Sequence, residues 1–216
     1  MLDKEKLVYL DLYSFEIRLD YFEKMLDNTS SAYSFYWLEA ILKLMIDKEQ
    51  ILFDDLVNHM ICLAYDDVTV HHYHLGPKIQ GKNTNTLEQI IHLLSRYLPD
   101  GCNYEEVLIC IYQHDKSIKD YKKLLVLQTP YRLLSSFLVD VSGNSDVWNR
   151  QKRMIQTIQD YNSKYSLPYI VLDGKGLKKS ILISQEWRSF LLNNYRTIMD
   201  WIESEKIIYL KKRSEV

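Results

Sequence analysis

The residues Asn28-Thr29-Ser30-Ser31-Ala32-Tyr33-Ser34-Phe35-Tyr36-Trp37-Leu38-Glu39-Ala40-Ile41-Leu42 decide the fold of this chain. The first four residues all carry side-chain oxygens that can cap a helix, and the aromatic and aliphatic residues after them predict a helix. At 100° per residue, the polar positions Glu39, Lys43 and Asp47 fall on one narrow stripe. We therefore expect only this stripe to face solvent, and we predict a central helix that other elements surround.

The composition is that of an ordinary soluble protein. Of 216 residues, 47% are hydrophobic and 26% charged, and the six glycines and four prolines leave few sharp turns, which favours long helices. No apolar run reaches the roughly 18 residues that span a bilayer, and the first residues lack the apolar part of a signal peptide. We expect a cytoplasmic protein without a membrane partner. Three cysteines with no Cys-x-x-Cys pair predict buried, reduced thiols.

The fold class predicted from apolar spacing is mainly α, a multi-helix bundle with one small β-hairpin near 168–183. Residues 168–173 and 179–183 are the two strands of this hairpin, because an Asp-Gly turn follows a β-branched run. Helical spacing, with apolar residues recurring every three or four positions, covers approximately residues 14–27, 53–64, 87–98, 104–114, 118–127, 148–161 and 185–211.

Charge divides the chain into two parts. From Val147 onward there are 13 Lys or Arg and 7 Asp or Glu, a balance of +6, whereas residues 1–146 hold 14 and 22, a balance of −8. The segment Ser142-Gly143-Asn144-Ser145 has the composition of a linker at this change of sign. We predict an acidic helical domain over 1–141 and a basic helix, hairpin and long-helix subdomain over 147–216, packed together as one globular unit.

Three histidines close together invite a metal-site interpretation. His71, His72 and His74 follow Asp66 and Asp67, and imidazole with carboxylate suits zinc or manganese. The spacing does not place two histidines on one helix face, so a polar loop explains the cluster better. We predict no metal site in the chain.

Several motifs, each short, occur in the order found in a known family. The chain from Leu12 to Arg213 resembles the N-terminal, non-catalytic region of bacterial HNH endonuclease-domain proteins. The motifs are Tyr33-x-Phe35-Tyr36-Trp37, Met60-Ile61-Cys62-Leu63-Ala64-Tyr65, Leu75-Gly76, Pro130-Tyr131-Arg132-Leu133-Leu134, the hairpin, Glu186-Trp187-Arg188-Ser189-Phe190, Trp201-Ile202 and Tyr209-Leu210-x-x-Arg213.

The resemblance implies a nuclease whose chemistry lies elsewhere. In the family, the Tyr-Leu-x-x-Arg segment usually continues toward the HNH module, which needs a histidine base, an orienting asparagine and a metal ligand. No histidine follows Tyr161. We therefore predict no catalytic residue and no cofactor in this chain, since a divalent metal is expected only for the HNH module. The sequence leaves open whether that module follows in a longer protein or has been lost.

Two functions of different class remain. The first is a non-catalytic DNA-recognition or regulatory domain of an HNH-type endonuclease, in restriction or phage defence, with weak, salt-sensitive DNA binding. The second is a helical protein-protein interaction module, an accessory subunit without nucleic-acid binding; a metal hydrolase using the three histidines ranks far below both. Arg132 suits a phosphate or a base, or alternatively an acidic side chain of the N-terminal half. The candidate DNA contacts are Arg132, Arg150, Arg153, Lys175, Lys178, Lys179, Arg188, Arg196, Lys211, Lys212 and Arg213.

Overall fold

Helices form most of the chain, so the predicted mainly α class is confirmed. The computed structural model describes residues 2–8, 17–27, 29–76, 84–99, 101–138 and 151–214, the last range including Gln151, Lys152 and Ser214 by their backbone only. The helices are α1 Leu19–Glu23, α2 Tyr33–Leu44, α3 Phe53–Thr69, α4 Thr86–Leu94, α5 Tyr104–Gln113, α6 Asp115–Leu125, α7 Thr129–Arg132, α8 Ser135–Leu138, α9 Gln151–Asn162, α10 Gln185–Asn193 and α11 Tyr195–Ser214. None of these helices is long and apolar enough to cross a bilayer.

Helix α2 is the central element, as predicted. Residues 35–42 are all buried, and α2 packs against α3, α7 and α11. The predicted solvent-facing stripe is wrong at Glu39, which is 1% exposed and forms an ion pair of 2.8 Å with Lys206 of α11. Helical periodicity could not reveal this, because the partner that makes burial tolerable lies 167 residues away.

The predicted hairpin exists and belongs to a three-stranded antiparallel sheet. Strands β2 Ile170–Leu172 and β3 Ser180–Leu182 pair with Val171 opposite Ile181. Strand β1 Gln50–Leu52, which we did not predict, pairs with the other edge of β3, so the order is β1-β3-β2. Three residues are too few to show the alternation of a strand. The sheet joins the acidic and basic parts; the predicted linker at 142–145 lies outside the described residues.

The predicted long C-terminal helix is two helices. Ser184 begins α10, its Oγ accepting from the Trp187 N–H at 3.3 Å, as predicted. Asn194 then separates α10 from α11, and its buried side chain accepts from the Val8 N–H at 2.6 Å and donates to the Val8 carbonyl at 3.2 Å. Asparagine competes with the helix for backbone groups, which explains the break.

The N-terminal helix is shorter than predicted, whereas α9 covers all of the described part of its predicted span. Within the predicted span 14–27, α1 covers Leu19–Glu23 and a 3₁₀ turn covers Lys24–Leu26. The beginning of that span, 14–16, and residues 148–150 before α9 lie outside the described residues.

A candidate anion-binding cleft

A polar cleft of about 570 Å³ opens at the N-terminal end of α2. Its walls come from the residues before and within the first turn of α2, the first residues of α4, and the connection from α6 to α7, with Arg132 and Ser135 beside it. Seven of the lining residues are serine or threonine. The cleft therefore offers many hydrogen-bond donors and few charges.

The beginning of α2 is held by the loop that contains Leu75-Gly76. The Ala32 N–H donates to the Leu75 carbonyl at 2.7 Å, and a Cβ on Gly76 would lie 2.9 Å from the Cβ of Ser31, so the two segments meet at van der Waals contact. Ala32 is the N-cap residue and gives α2 no side-chain cap. Our prediction that one of residues 28–31 caps α2 is therefore wrong for Thr29, Ser30 and Ser31, which line the cleft instead; Asn28 lies outside the described residues.

Helix α4 begins at the opposite wall with its own polar groups satisfied. Asn85 and Glu88 form a capping box, and the Glu88 carboxylate also accepts from the Leu75 N–H at 2.6 Å. The Tyr33 hydroxyl accepts from the Thr86 N–H at 3.0 Å, and burial raises the pKa of Tyr33 to about 12. Tyr33 therefore keeps its proton at neutral pH and remains a donor.

Arg132 and Tyr209 both contact Ser30 at the edge of the cleft. Arg132 Nη1 donates to Ser30 Oγ at 3.4 Å, and the Tyr209 hydroxyl donates to the Ser30 carbonyl at 3.1 Å. The Arg213 guanidinium lies 5.7 Å from the centre of the Tyr209 ring. In the described part of the chain neither arginine forms an ion pair, so Arg132 does not bind an acidic side chain there. One carboxyl group, that of Asp27, also lines the cleft.

Two of the predicted DNA contacts are used inside the fold. Lys179 is buried and its Nζ donates to the Tyr131 hydroxyl at 2.9 Å, and burial lowers its pKa. Arg188 donates from Nε to the Met45 carbonyl at 2.9 Å and from Nη2 to the Ile46 carbonyl at 2.7 Å, at the C-terminal end of α2. Neither side chain is presented to a phosphate, because each is satisfied by protein.

The remaining predicted contacts are exposed but dispersed. Lys211 and Lys212 share the last turn of α11 with Arg213, whereas Arg196 is in its first turn, about 25 Å away at 1.5 Å per residue. The structure thus brings Arg132 to the end of α11 that carries three cations, and leaves Arg196 far from it. Arg153 on α9 and Lys175 and Lys178 around the hairpin turn are exposed at other elements, and Arg150 lies outside the described residues.

Sequence reasoning missed three residues of this site: Ser30, Tyr33 and Tyr209. Ser30 meets Arg132 across 102 positions and Tyr209 across 179, distances that no local pattern reports. One signal was present. Tyr33 and Arg132, from two of the motifs that carried the family resemblance, line the cleft, and Gly76 from a third lies against Ser31.

The histidine loop shows no metal-binding arrangement. No group of three possible ligands occurs among the residues that the structure describes. His71 stacks on Tyr73 with ring centres 5.7 Å apart, and His74 Nδ1 lies 3.8 Å from the Glu88 carboxylate, which already accepts backbone hydrogen bonds.

Comparison with known proteins adds no relative: no family model, curated protein or solved structure matches the chain.

Proposed function

We propose that this chain is a non-catalytic recognition module that binds nucleic acid through its phosphates. The observation that carries the proposal is the contact of Arg132 with Ser30, without an ion pair to Arg132 in the described residues, at the edge of a cleft lined by seven serine or threonine residues. Guanidinium groups fit phosphate with paired hydrogen bonds.

The surroundings extend the positive surface along one end of α11. Lys211 and Lys212 are exposed beside Arg213, and a polyanion that reached Arg132 would pass these lysines. Each phosphate neutralised by such a cation releases a condensed counterion, which favours binding at low salt. The proposed contact surface is thus the last turn of α11 together with Arg132 and Ser30.

The wider role that we propose follows from the resemblance to HNH endonuclease-domain proteins. The module would bind and position DNA for cleavage by a nuclease that acts in restriction or phage defence. The catalytic metal would belong to that nuclease. Tyr33 and Arg132, which come from two of the resemblance motifs, both line the cleft, and this supports the role.

The test is a salt titration with labelled DNA and two matched variants. Parent, Arg132→Ala and Arg196→Ala are measured with single-stranded and duplex DNA between about 50 and 200 mM salt. We expect Arg132→Ala to weaken binding and to reduce the slope of log K against log salt by about one, whereas the control Arg196→Ala keeps the parent slope. Equal slopes for all three proteins, or no binding at the lowest salt, would contradict the proposal.

A protein-binding role is the second candidate, and the outer face of α5 favours it. Ile109 and Tyr112 lie three positions apart on this helix and are 55% and 59% exposed. A second copy of the chain is the partner that can be tested first. Concentration-dependent association in sedimentation velocity, lost in Ile109→Glu, would support this role, and a monomer at all concentrations would count against self-association.

A further inference from the structure

We propose that the cleft at the beginning of α2 accepts one nucleoside monophosphate unit, with its phosphate at Arg132 and its base against Leu124 and Leu127. This binding mode rests on the proposed phosphate contacts of Arg132. A single nucleotide, and not a length of duplex, enters the cleft.

The size of the cleft suits one small molecule. Ligand pockets that enclose most of a small molecule have volumes of about 300–1,000 Å³, and this cleft has about 570 Å³. A base within a duplex is stacked and paired, and it must leave the stack before it can enter such a pocket. Only an unpaired nucleotide therefore fits.

The cleft lining combines two kinds of group. Arg132 and the hydroxyls of Ser30, Ser31 and Ser34 suit phosphate oxygens, and one carboxyl group, that of Asp27, also lines the cleft. Two exposed leucines line it as well: Leu124 at the end of α6 is 53% exposed, and Leu127 before α7 is 48% exposed. A lining with an arginine and exposed apolar side chains matches a ligand that carries both an anionic group and a flat apolar group.

Gln128 and Tyr33 add an amide and a phenol hydroxyl to the lining of the cleft. Gln128 lines the cleft and is exposed, so its amide can donate to and accept from a base edge. The Tyr33 hydroxyl accepts from the first turn of α4 and keeps a proton to donate. A sugar or base with donors and acceptors is therefore accommodated better than a plain alkyl phosphate.

Calorimetric titration tests the proposal with the full chain. The probes are the four ribonucleoside 5′-monophosphates, the corresponding nucleosides and inorganic phosphate, and the proteins are parent, Arg132→Gln, Leu124→Ser and the control Arg196→Gln. We expect the parent to bind at least one nucleotide at least tenfold more tightly than its nucleoside. Arg132→Gln should lose this preference, and Arg196→Gln should retain it.

Leu124→Ser separates the base from the phosphate. Because Leu124 is largely exposed, its replacement leaves folding intact, which thermal melting checks. We expect a three- to tenfold loss of nucleotide affinity and unchanged binding of inorganic phosphate. Equal losses for both ligands, or no loss for either, would overturn the placement of the base.

Two sources of the nucleotide are distinguished by competition. If the bound nucleotide is the end of a strand, the monophosphate displaces a linear single strand with a 5′-phosphate and leaves a closed circle of the same sequence bound. If the ligand is a free nucleotide, neither strand is displaced.

The outcomes also separate the two proposals. No nucleotide binding at millimolar concentration, with salt-dependent DNA binding intact, overturns the cleft inference and leaves the recognition module in place. Nucleotide binding without DNA binding overturns the recognition module and keeps the cleft.

Discussion

The two ends of the central helix α2 differ in how they are completed. At the C-terminal end, Arg188 donates to the carbonyls of Met45 and Ile46, so a cation meets the negative end of the helix dipole. At the N-terminal end, no side chain caps the helix, and Arg132 and the Asp27 carboxyl group both line the cleft beside it. A helix N-terminus without a side-chain cap and with an arginine nearby would be completed by an incoming anion. The difference suggests that one end of α2 serves folding and the other serves binding.

We expect the largest loss of stability from a substitution in the buried core, which supports both ends of α2. Trp37 is 0% exposed in the middle of α2 and contacts the Phe53 ring at 5.4 Å between centroids. Trp37→Ala should lower the free energy of unfolding by about 3–5 kcal/mol because it leaves a cavity. Urea denaturation measures this, with Tyr112→Ala on the surface as the control. A variant that unfolds at the parent's urea concentration would show that α2 is not central.

The second effect is dependent on pH and concerns Glu39. Burial raises the pKa of Glu39 to about 7, although Lys206 opposes the shift. Burial would lower the pKa of Lys206, but Glu39 and Glu203 outweigh it and raise that pKa. An acid with a raised pKa favours the folded state while protonated, so its contribution is present below pH 4.5 and is lost as pH rises toward 7.

Glu39→Gln should therefore gain stability relative to the parent across this window, by about 3 kcal/mol. Urea denaturation at several pH values measures the difference between the two proteins. Glu203→Gln keeps Glu39 and its burial, which is the main cause of the raised pKa, and removes only the smaller effect of Glu203, so it should retain most of the parent's loss of stability with pH. A constant difference between parent and Glu39→Gln from pH 4.5 to 7 would contradict the raised pKa.

The third effect tests the closed end of α2 directly. Arg188→Ala removes two charge-assisted hydrogen bonds to carbonyls, and we expect a loss of about 1.5–3 kcal/mol in the free energy of unfolding. Arg188→Lys keeps the charge but cannot span both carbonyls, so it should recover only part of the loss. If Arg188→Ala is as stable as the parent, the C-terminal end does not need its arginine and the comparison fails.

The smallest effect on stability is expected at the open end. Arg132 is exposed and makes one long hydrogen bond to Ser30, so Arg132→Ala should change the free energy of unfolding by less than about 0.5 kcal/mol. Phosphate should raise the melting temperature of the parent and leave that of Arg132→Ala unchanged, because only a bound anion stabilises the folded state. A large loss of stability in Arg132→Ala without phosphate would make this arginine structural, like Arg188.

The sequence predicted the secondary-structure elements better than the contacts between them. Trp37 and its neighbours identified the central helix, and the Asp-Gly turn identified the hairpin, since both signals are local. Glu39, Lys179 and Arg188 were expected at the surface because charge normally stays in water, yet each found a partner in a distant segment. The cleft was unpredictable for the same reason, because Arg132 belongs to α7 whereas several of the hydroxyls belong to the residues before α2.

Strand β1 has a consequence for synthesis of the protein. Ile51 of β1 pairs with Ile181 of β3, which lies 130 residues later in the chain. At 5–20 residues per second, this separation corresponds to roughly 6–26 s of translation. Until β3 emerges, the backbone groups of β1 that face it have no strand partner, and unpaired strand edges associate with other chains. Aggregation during translation would therefore begin in the acidic part, and a fragment covering only residues 1–141 would keep this edge unpaired permanently.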